Sequence, residues 1–252
     1  MILTGTDIGS GQNVALLHGL FGAAANFGTV QKRLAERHRV LALDLRNHGS
    51  SPHTPFMSYP AMAEDVLETL RARNALPCTL IGHSMGGKVA MAAALEAPGA
   101  ITRVLVGDIA PAVYPPIYRA YAQAMATLRL SADLTRVAAD RALATTIESP
   151  AIRAFLLQNL RFGAEPNWRI GLDAIAAGLN VLEGWPDLEE NAYLGPALFV
   201  AGSRSDYILP EHRPIIRAMF PAARFAVLKN AGHWLHADNP DGFVSLVDAF
   251  MS

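Results

Sequence analysis

The sequence predicts an α/β fold: a doubly wound, mostly parallel sheet carrying an inserted helical cap. Three observations point there. Short, almost continuously apolar runs alternate with longer stretches of helical periodicity, glycine and proline punctuate the boundaries, and one long interval holds helical patterns alone.

In chain order, the strand candidates are VALLH (14–18), RVLALDL (39–45), CTLIG (78–82), TRVLVGD (102–108), ALFVAG (197–202) and RFAVLK (224–229). Their near-continuous apolarity suits strands covered on both faces, as in a parallel sheet. Helices are expected between and after them at about 27–37, 60–73, 85–96, 211–219 and 241–250, several with Pro or Gly where a helix starts or stops. From Tyr114 to about Trp185 no strand candidate occurs, and IYRAYAQAMATLRL, LTRVAADRALATTI, AIRAFLLQNLRF and WRIGLDAIAAGLNVL each read as helical. APAVYPP opens this interval and EGWPD closes it, both with prolines that favour extended backbone. The expected division is a core of 1–112 and 187–252 with a cap of 113–186.

Composition narrows the function. With 252 residues, 51% of them hydrophobic and 17% charged, the chain suits one large domain with an inserted subdomain and not disorder. The formal net charge is −1 and no Lys/Arg cluster is present, so neither nucleic acid nor a membrane surface is expected as a partner. A small, roughly neutral substrate fits better. The single cysteine, Cys78, rules out an internal disulfide framework and reads as a buried strand residue. MILTGTDIGSGQN lacks the pattern of a secretory signal and no apolar run reaches membrane-spanning length, so a cytoplasmic location is expected. No histidine spacing suggests a metal site, and no cofactor is expected.

The chemistry is written in LIGHSMGGKVAM, residues 80–91. Gly82-His83-Ser84-Met85-Gly86 fits G-x-S-x-G, in which a strand turns sharply into a helix and holds a serine in a crowded backbone conformation. The apolar run before it and the helical pattern after it supply that context. The turn lifts the Ser84 hydroxyl to the carboxyl edge of the sheet and sets the Met85 N–H at a helix N-terminus, where negative charge is favoured.

The succession LLHGLFG, LALDLRNHGSS, LIGHSMGGKVA, VLVGDIAP, ALFVAGSRSDYI and NAGHWLHADNP resembles the α/β-hydrolase fold superfamily. Within it the chain is similar to the small YbfF-type esterases and the related ABHD11 group, most specifically through GDIAPAVYPP and GHWLHADNP. The similarity spans both core portions; the cap matches mainly in helical character and position. The resemblance implies the α/β-hydrolase fold and a serine hydrolase acting through an acyl-enzyme.

A serine hydroxyl needs a neighbouring base to become a nucleophile. His233, in a loop after the last strand, takes that role by resemblance, and the chain order serine, acid, histidine is respected. His236 is the alternative and reads as the start of the last helix. His18 and His83 read as structural histidines near the strand ends; His38, His48, His53 and His212 read as surface or loop residues. The acid is open between two positions. Many α/β-hydrolases carry it three residues past the glycine ending the strand at 197–202, but that position is Ser205, and Asp206 falls one residue late. Asp108 is the alternative, and the resemblance to YbfF-type enzymes favours it, with Ser205 as a helper bonding the acid or the histidine. The oxyanion donors are expected to be the N–H groups of Leu20, with Phe21 as its neighbour, and of Met85. Asp44 and Arg46 read as a structural turn, Asn47 as a candidate pocket residue, and Tyr114, Phe155, Leu156, Phe162 and Trp185 as either core or walls of an acyl pocket.

The function expected is hydrolysis of carboxylic esters or thioesters of short to medium acyl chains. Two other readings share the sequence: carbon–carbon bond hydrolysis or lyase chemistry on the same fold, and a ligand-binding receptor without chemistry.

Overall fold

The computed structural model describes residues 1–188 and 190–252. Its strands in chain order are β1 (Gly5–Gly9), β2 (Gln12–Leu17), β3 (His38–Leu43), β4 (Cys78–His83), β5 (Ile101–Gly107), β6 (Leu160–Arg161), β7 (Asn167–Trp168), β8 (Ala197–Gly202) and β9 (Ala223–Leu228). Seven of these form one sheet in the order β1-β3-β2-β4-β5-β8-β9, parallel throughout except for the β1–β3 pair. All six strands read from the sequence are present, with ends shifted by a residue or two.

Crossovers make the parallel sheet possible. The helices α1 (Gly28–Leu34), α2 (Tyr59–Ala72) and α3 (Met85–Glu96) carry the chain from β2 to β3, β3 to β4 and β4 to β5; α8 (Arg213–Met219) joins β8 to β9, and α9 (Leu235–Asp238) and α10 (Pro240–Met251) follow. Alternate side chains of each strand enter opposite cores. Ala15, Leu17, Leu41, Leu43, Leu80, Val104 and Phe199 pack with α2 and α3, whereas Val14, Leu16, Val40, Ile81, Leu105 and Val200 pack with α1 and α10. Strand β4 is buried along its whole length, and α3 along all but its last residue, so the connection between them is the most enclosed in the molecule.

Between β5 and β8 lie α4 (Tyr118–Ala126), α5 (Arg136–Leu143), α6 (Pro150–Leu156) and α7 (Leu172–Glu183). Ser and Thr caps start two of them: Thr135 Oγ1 accepts from the Ala138 N–H, and Ser149 Oγ from the Ile152 N–H. The ends of this interval are tied to the core by one buried cation. Lys88 Nζ, on α3, donates to the carbonyls of Ala112 (2.7 Å) and Gly184 (2.5 Å) and faces the rings of Tyr59 and Tyr114. Burial draws its ammonium down to about 7.

One strand carried no sequence signal, and two expectations are corrected here. Strand β1, GTDIG, is exposed at every position and pairs antiparallel at the sheet edge, so it offers no apolar run to read. The interval read as purely helical contains the two-residue pair β6–β7. The helix read at 27–37 is a 3-10 turn over Ala24–Phe27 leading into α1, which stops at Leu34.

Candidate active site

The sheet fixes where the chemistry gathers. The loops leaving the carboxyl ends of β2, β4, β5, β8 and β9 deliver His18 to Phe21, Ser84, Asp108, Ser205 and His233 to one edge.

Ser84 sits between β4 and α3 at φ 53°, ψ −123°, a conformation that non-glycine residues rarely adopt. Its N–H donates to the Gly107 carbonyl (2.9 Å), and its own carbonyl accepts from the Gly87 and Lys88 N–H groups (2.8 and 3.1 Å). The flanking glycines are required by contact. A Cβ at Gly82 would lie 2.1 Å from the Gly86 carbonyl oxygen, and one at Gly86 would lie 2.2 Å from that of Leu17.

From this turn the Ser84 Oγ faces His233 Nε2 at 3.1 Å. The other ring nitrogen, Nδ1, meets Asp108 Oδ2 at 2.8 Å. Because a carboxylate only accepts, Nδ1 carries the proton and Nε2 is left to receive one from serine. Asp108 is fully buried and is held by two more donors, the Gly202 N–H on Oδ1 (3.0 Å) and the Ser205 hydroxyl on Oδ2. Asp206 is exposed and makes no hydrogen bond to His233. The Ser205 N–H closes a turn onto the Gly202 carbonyl (3.1 Å), which aims Ser205 inward and its successor outward.

The imidazole is held from two further sides. His83 Nε2–H donates to the His233 carbonyl (2.6 Å), and the Tyr207 ring stacks on that of His233 with centroids 3.9 Å apart. Tyr207 is itself braced, its carbonyl accepting from the Tyr114 hydroxyl (2.6 Å) and its hydroxyl meeting that of Tyr118 (2.9 Å). His236 lies on α9, buried among His83, Phe27 and Phe243, and takes no part in this relay.

Leu20 and Met85 border one small cavity with Ser84. Among the described residues, the N–H groups of Leu20 and Met85 meet no protein acceptor. The Phe21 N–H is committed elsewhere, donating to His48 Nε2 at 3.1 Å. That bond corrects the reading of His48 as a surface or loop side chain: it is fully buried, and burial draws it down to about 3. His18 supports the same loop, accepting the Leu45 N–H (3.0 Å) through Nε2 and donating to the Gly19 carbonyl (2.8 Å) through Nδ1; burial draws it down to about 4. Arg46 forms a buried pair with Asp65 (2.6 Å), and Asp44 accepts from the Ala24 and Ser50 N–H groups, so both tie the turn after β3.

A cavity of about 700 Å³ opens over Ser84. Its apolar wall comes from Ile117, Tyr118, Tyr121, Ile152, Phe155 and Leu156, together with Trp234 after β9. Of the wall candidates named from sequence, Phe155 and Leu156 are in it. Tyr114 lies behind it beside Lys88, Phe162 faces outward, and Trp185 packs near Tyr59. Asn47 lines a separate cavity of about 570 Å³ with Trp168 and Gly171. Sequence reading missed Tyr207, Tyr118, Trp234 and the supporting role of His48; Tyr207, Trp234 and His48 all stood inside quoted motifs, and Tyr118 inside a segment read only as helix. Among the described residues, no cluster of three metal-ligating side chains occurs and no helix is long and apolar enough to cross a membrane.

Known proteins share this architecture. The profile of the alpha/beta hydrolase family matches residues 14–246. The sequence is 40% identical over 248 residues to the sn-1-specific diacylglycerol lipase ABHD11 of Mus musculus, covering 95% of this chain and 80% of that protein. It is 34% identical over 242 residues to the esterase YbfF of Escherichia coli, covering 95% and 92% respectively. A solved marine microorganism esterase superposes with a TM-score of 0.94 at 33% identity, over 99% of each chain.

Proposed function

The chain belongs to the alpha/beta hydrolase family and is an enzyme of its esterase and lipase type; from that premise we propose that it cleaves esters or thioesters of short to medium acyl chains through an acyl-enzyme on Ser84. The observation that carries this is the relay from Ser84 Oγ through His233 to Asp108, at 3.1 and 2.8 Å, on the floor of an apolar cavity.

In this reading the acyl carbonyl lies with its oxygen toward the Leu20 and Met85 N–H groups. Ser84 Oγ attacks the carbon while His233 Nε2 takes its proton, and the negative charge that develops on oxygen is met by the two N–H donors. Asp108 holds the ring in the required tautomer and stabilises the imidazolium. As the tetrahedral species collapses, the imidazolium gives its proton to the departing alcohol or thiol. Water then enters, loses a proton to Nε2 and attacks the acyl-enzyme, releasing the acid and restoring Ser84. The helices 113–186 act as a cap whose apolar side chains receive the acyl chain. The lipase name of the mouse relative makes an ester of a neutral glycerolipid one substrate to include.

The test is fluorophosphonate labelling together with turnover of p-nitrophenyl esters from acetate to palmitate. Wild-type protein is expected to be labelled at Ser84 and to favour butyrate to octanoate, and Ser84→Ala to lose both labelling and turnover, by roughly 10⁶-fold in kcat, while melting as the wild type does. Turnover that survives Ser84→Ala, or wild-type protein inert to both reagents, refutes the proposal; inertness would favour carbon–carbon hydrolysis or ligand binding.

A further inference from the structure

The turn that carries the Leu20 N–H is not relaxed. The Gly22 N–H closes it onto the Gly19 carbonyl (2.9 Å), and within it Phe21 stands at φ 59°, a left-handed position suited to glycine. A bulky residue there is relieved when the turn opens, and an opened turn displaces the adjoining Gly19–Leu20 peptide, which carries the Leu20 N–H. Two side chains from distant elements oppose it. His48 Nε2 accepts the Phe21 N–H, while its Nδ1–H donates to the Arg46 carbonyl (2.9 Å), which leaves Nε2 without a proton. Asn159 Nδ2 donates to the Phe21 carbonyl at 2.8 Å. Asn159 is buried, follows α6 in the helical interval, and anchors its amide a second time on the Leu156 carbonyl (3.3 Å).

We propose that Asn159 is a positioning residue through which the docked cap holds the oxyanion turn in its working conformation, with His48 gripping the same residue from the core. Phe21 is thereby fixed at both its N–H and its C=O, one from each layer, and the Leu20 donor is complete only while the cap is seated. This carboxamide couples the cap to the oxyanion turn, as Tyr114 and Tyr118 couple it to Tyr207 beside His233. The proposal rests on the reading of Leu20 as an oxyanion donor given above.

Asn159→Asp tests it, since it keeps the shape and exchanges the donor for an acceptor that opposes the Phe21 carbonyl. With p-nitrophenyl butyrate, kcat is expected to fall about 10- to 100-fold while KM changes by less than about threefold. Affinity for a trifluoromethyl ketone, which forms a tetrahedral adduct on the serine, is expected to fall in step with kcat, whereas affinity for the butyrate product is expected to hold. If the aspartate variant does not fold, as judged by its melting curve, Asn159→Ser is read in the same way. A kcat within threefold of wild type, or a loss of kcat that leaves trifluoromethyl ketone affinity unchanged, overturns the proposal while wild-type catalysis stands. Wild-type protein with no Ser84-dependent turnover overturns the underlying reading, and this proposal with it.

Discussion

Replacing Asp108 by asparagine separates the two carboxylates that sequence left in competition. The buried Asp108 accepts from three donors: the Gly202 N–H at 3.0 Å, the Ser205 hydroxyl, and His233 Nδ1–H at 2.8 Å. An amide retains a single acceptor oxygen. The Gly202 N–H, fixed in the backbone at the end of β8, draws that oxygen to its own side, and the NH2 then faces Ser205 and His233. A donor opposite Nδ1 selects the tautomer protonated at Nε2, the nitrogen 3.1 Å from Ser84 Oγ, which then has no lone pair for the serine proton. The charge that would stabilise the imidazolium is lost as well. Both effects act on the same step, and in a related triad they lower kcat by about 10⁴, equivalent to about 5.5 kcal/mol of barrier. Asp108→Asn is therefore expected to lose about 10⁴ in kcat on p-nitrophenyl butyrate, with KM little changed, whereas the exposed Asp206→Asn stays within about threefold. Melting curves on both variants show whether the folded protein is being compared. An Asp206→Asn variant that loses activity, or an Asp108→Asn variant within tenfold of wild type, refutes the argument.

The packing and the buried histidines give two further expectations. Gly82→Ala puts a Cβ 2.1 Å from a backbone oxygen in the most enclosed part of the fold, so it is expected to cost about 3 kcal/mol or more and to lower Tm by roughly 6–12 °C by calorimetry; a Tm within 2 °C of wild type refutes the contact. Burial holds His18 and His236 down to about 4, His48 to about 3, and His83 well below its ordinary value, so each is neutral in the folded protein and takes up a proton on unfolding below about pH 6.5. Their contribution is present above that pH and lost as pH falls toward their folded values, with a combined slope approaching about 5 kcal/mol per pH unit. Urea midpoints at pH 7.5, 6 and 5 are expected to fall in that order, and a flat series refutes it.

The inner strands were legible because a strand covered on both faces must be apolar at nearly every residue, and few other segments of that length are; β9, at the sheet edge and buried only at its two ends, was legible through the apolar run FAVL alone. Strand β1 was not, since all five of its residues are exposed and its place is set by backbone pairing with β3 and by polar contacts with Gln31 and Arg39 that leave no apolar pattern. In the site, Ser84 was legible through Gly82 and Gly86, whose missing side chains are demanded by close backbone contacts, that of Gly82 with Gly86 itself and that of Gly86 with Leu17 on β2. The acid was not. Whether position 205 or 206 faces inward depends on a turn that sequence spacing does not specify, and the partner that decides it, Asp108, arrives from another strand. His48 failed for a similar reason: a histidine in a polar, glycine-bearing loop looks solvated until the turn of Gly19 to Gly22 is laid over it.

Backbone strain ties these features together. Among the described residues, six non-glycine residues have positive φ; Asn47, Asn74 and Asn230 are asparagines, which tolerate it, while Phe21 stands in the turn after β2 and Ser84 and Asp108 stand directly at the carboxyl ends of β4 and β5. A relaxed strand-to-helix connection carries its side chains along the strand direction, away from one another. Convergence on one point requires a sharper bend, and at Ser84 and Asp108 a left-handed residue makes it, each held there by its N–H, to Gly107 (2.9 Å) and Val200 (2.8 Å) respectively. The same geometry recommends the test substitution. At φ 52° asparagine is at least as comfortable as aspartate, so Asp108→Asn leaves the bend after β5 unstrained, and a lost rate there reports on the proton relay and not on the turn that carries it.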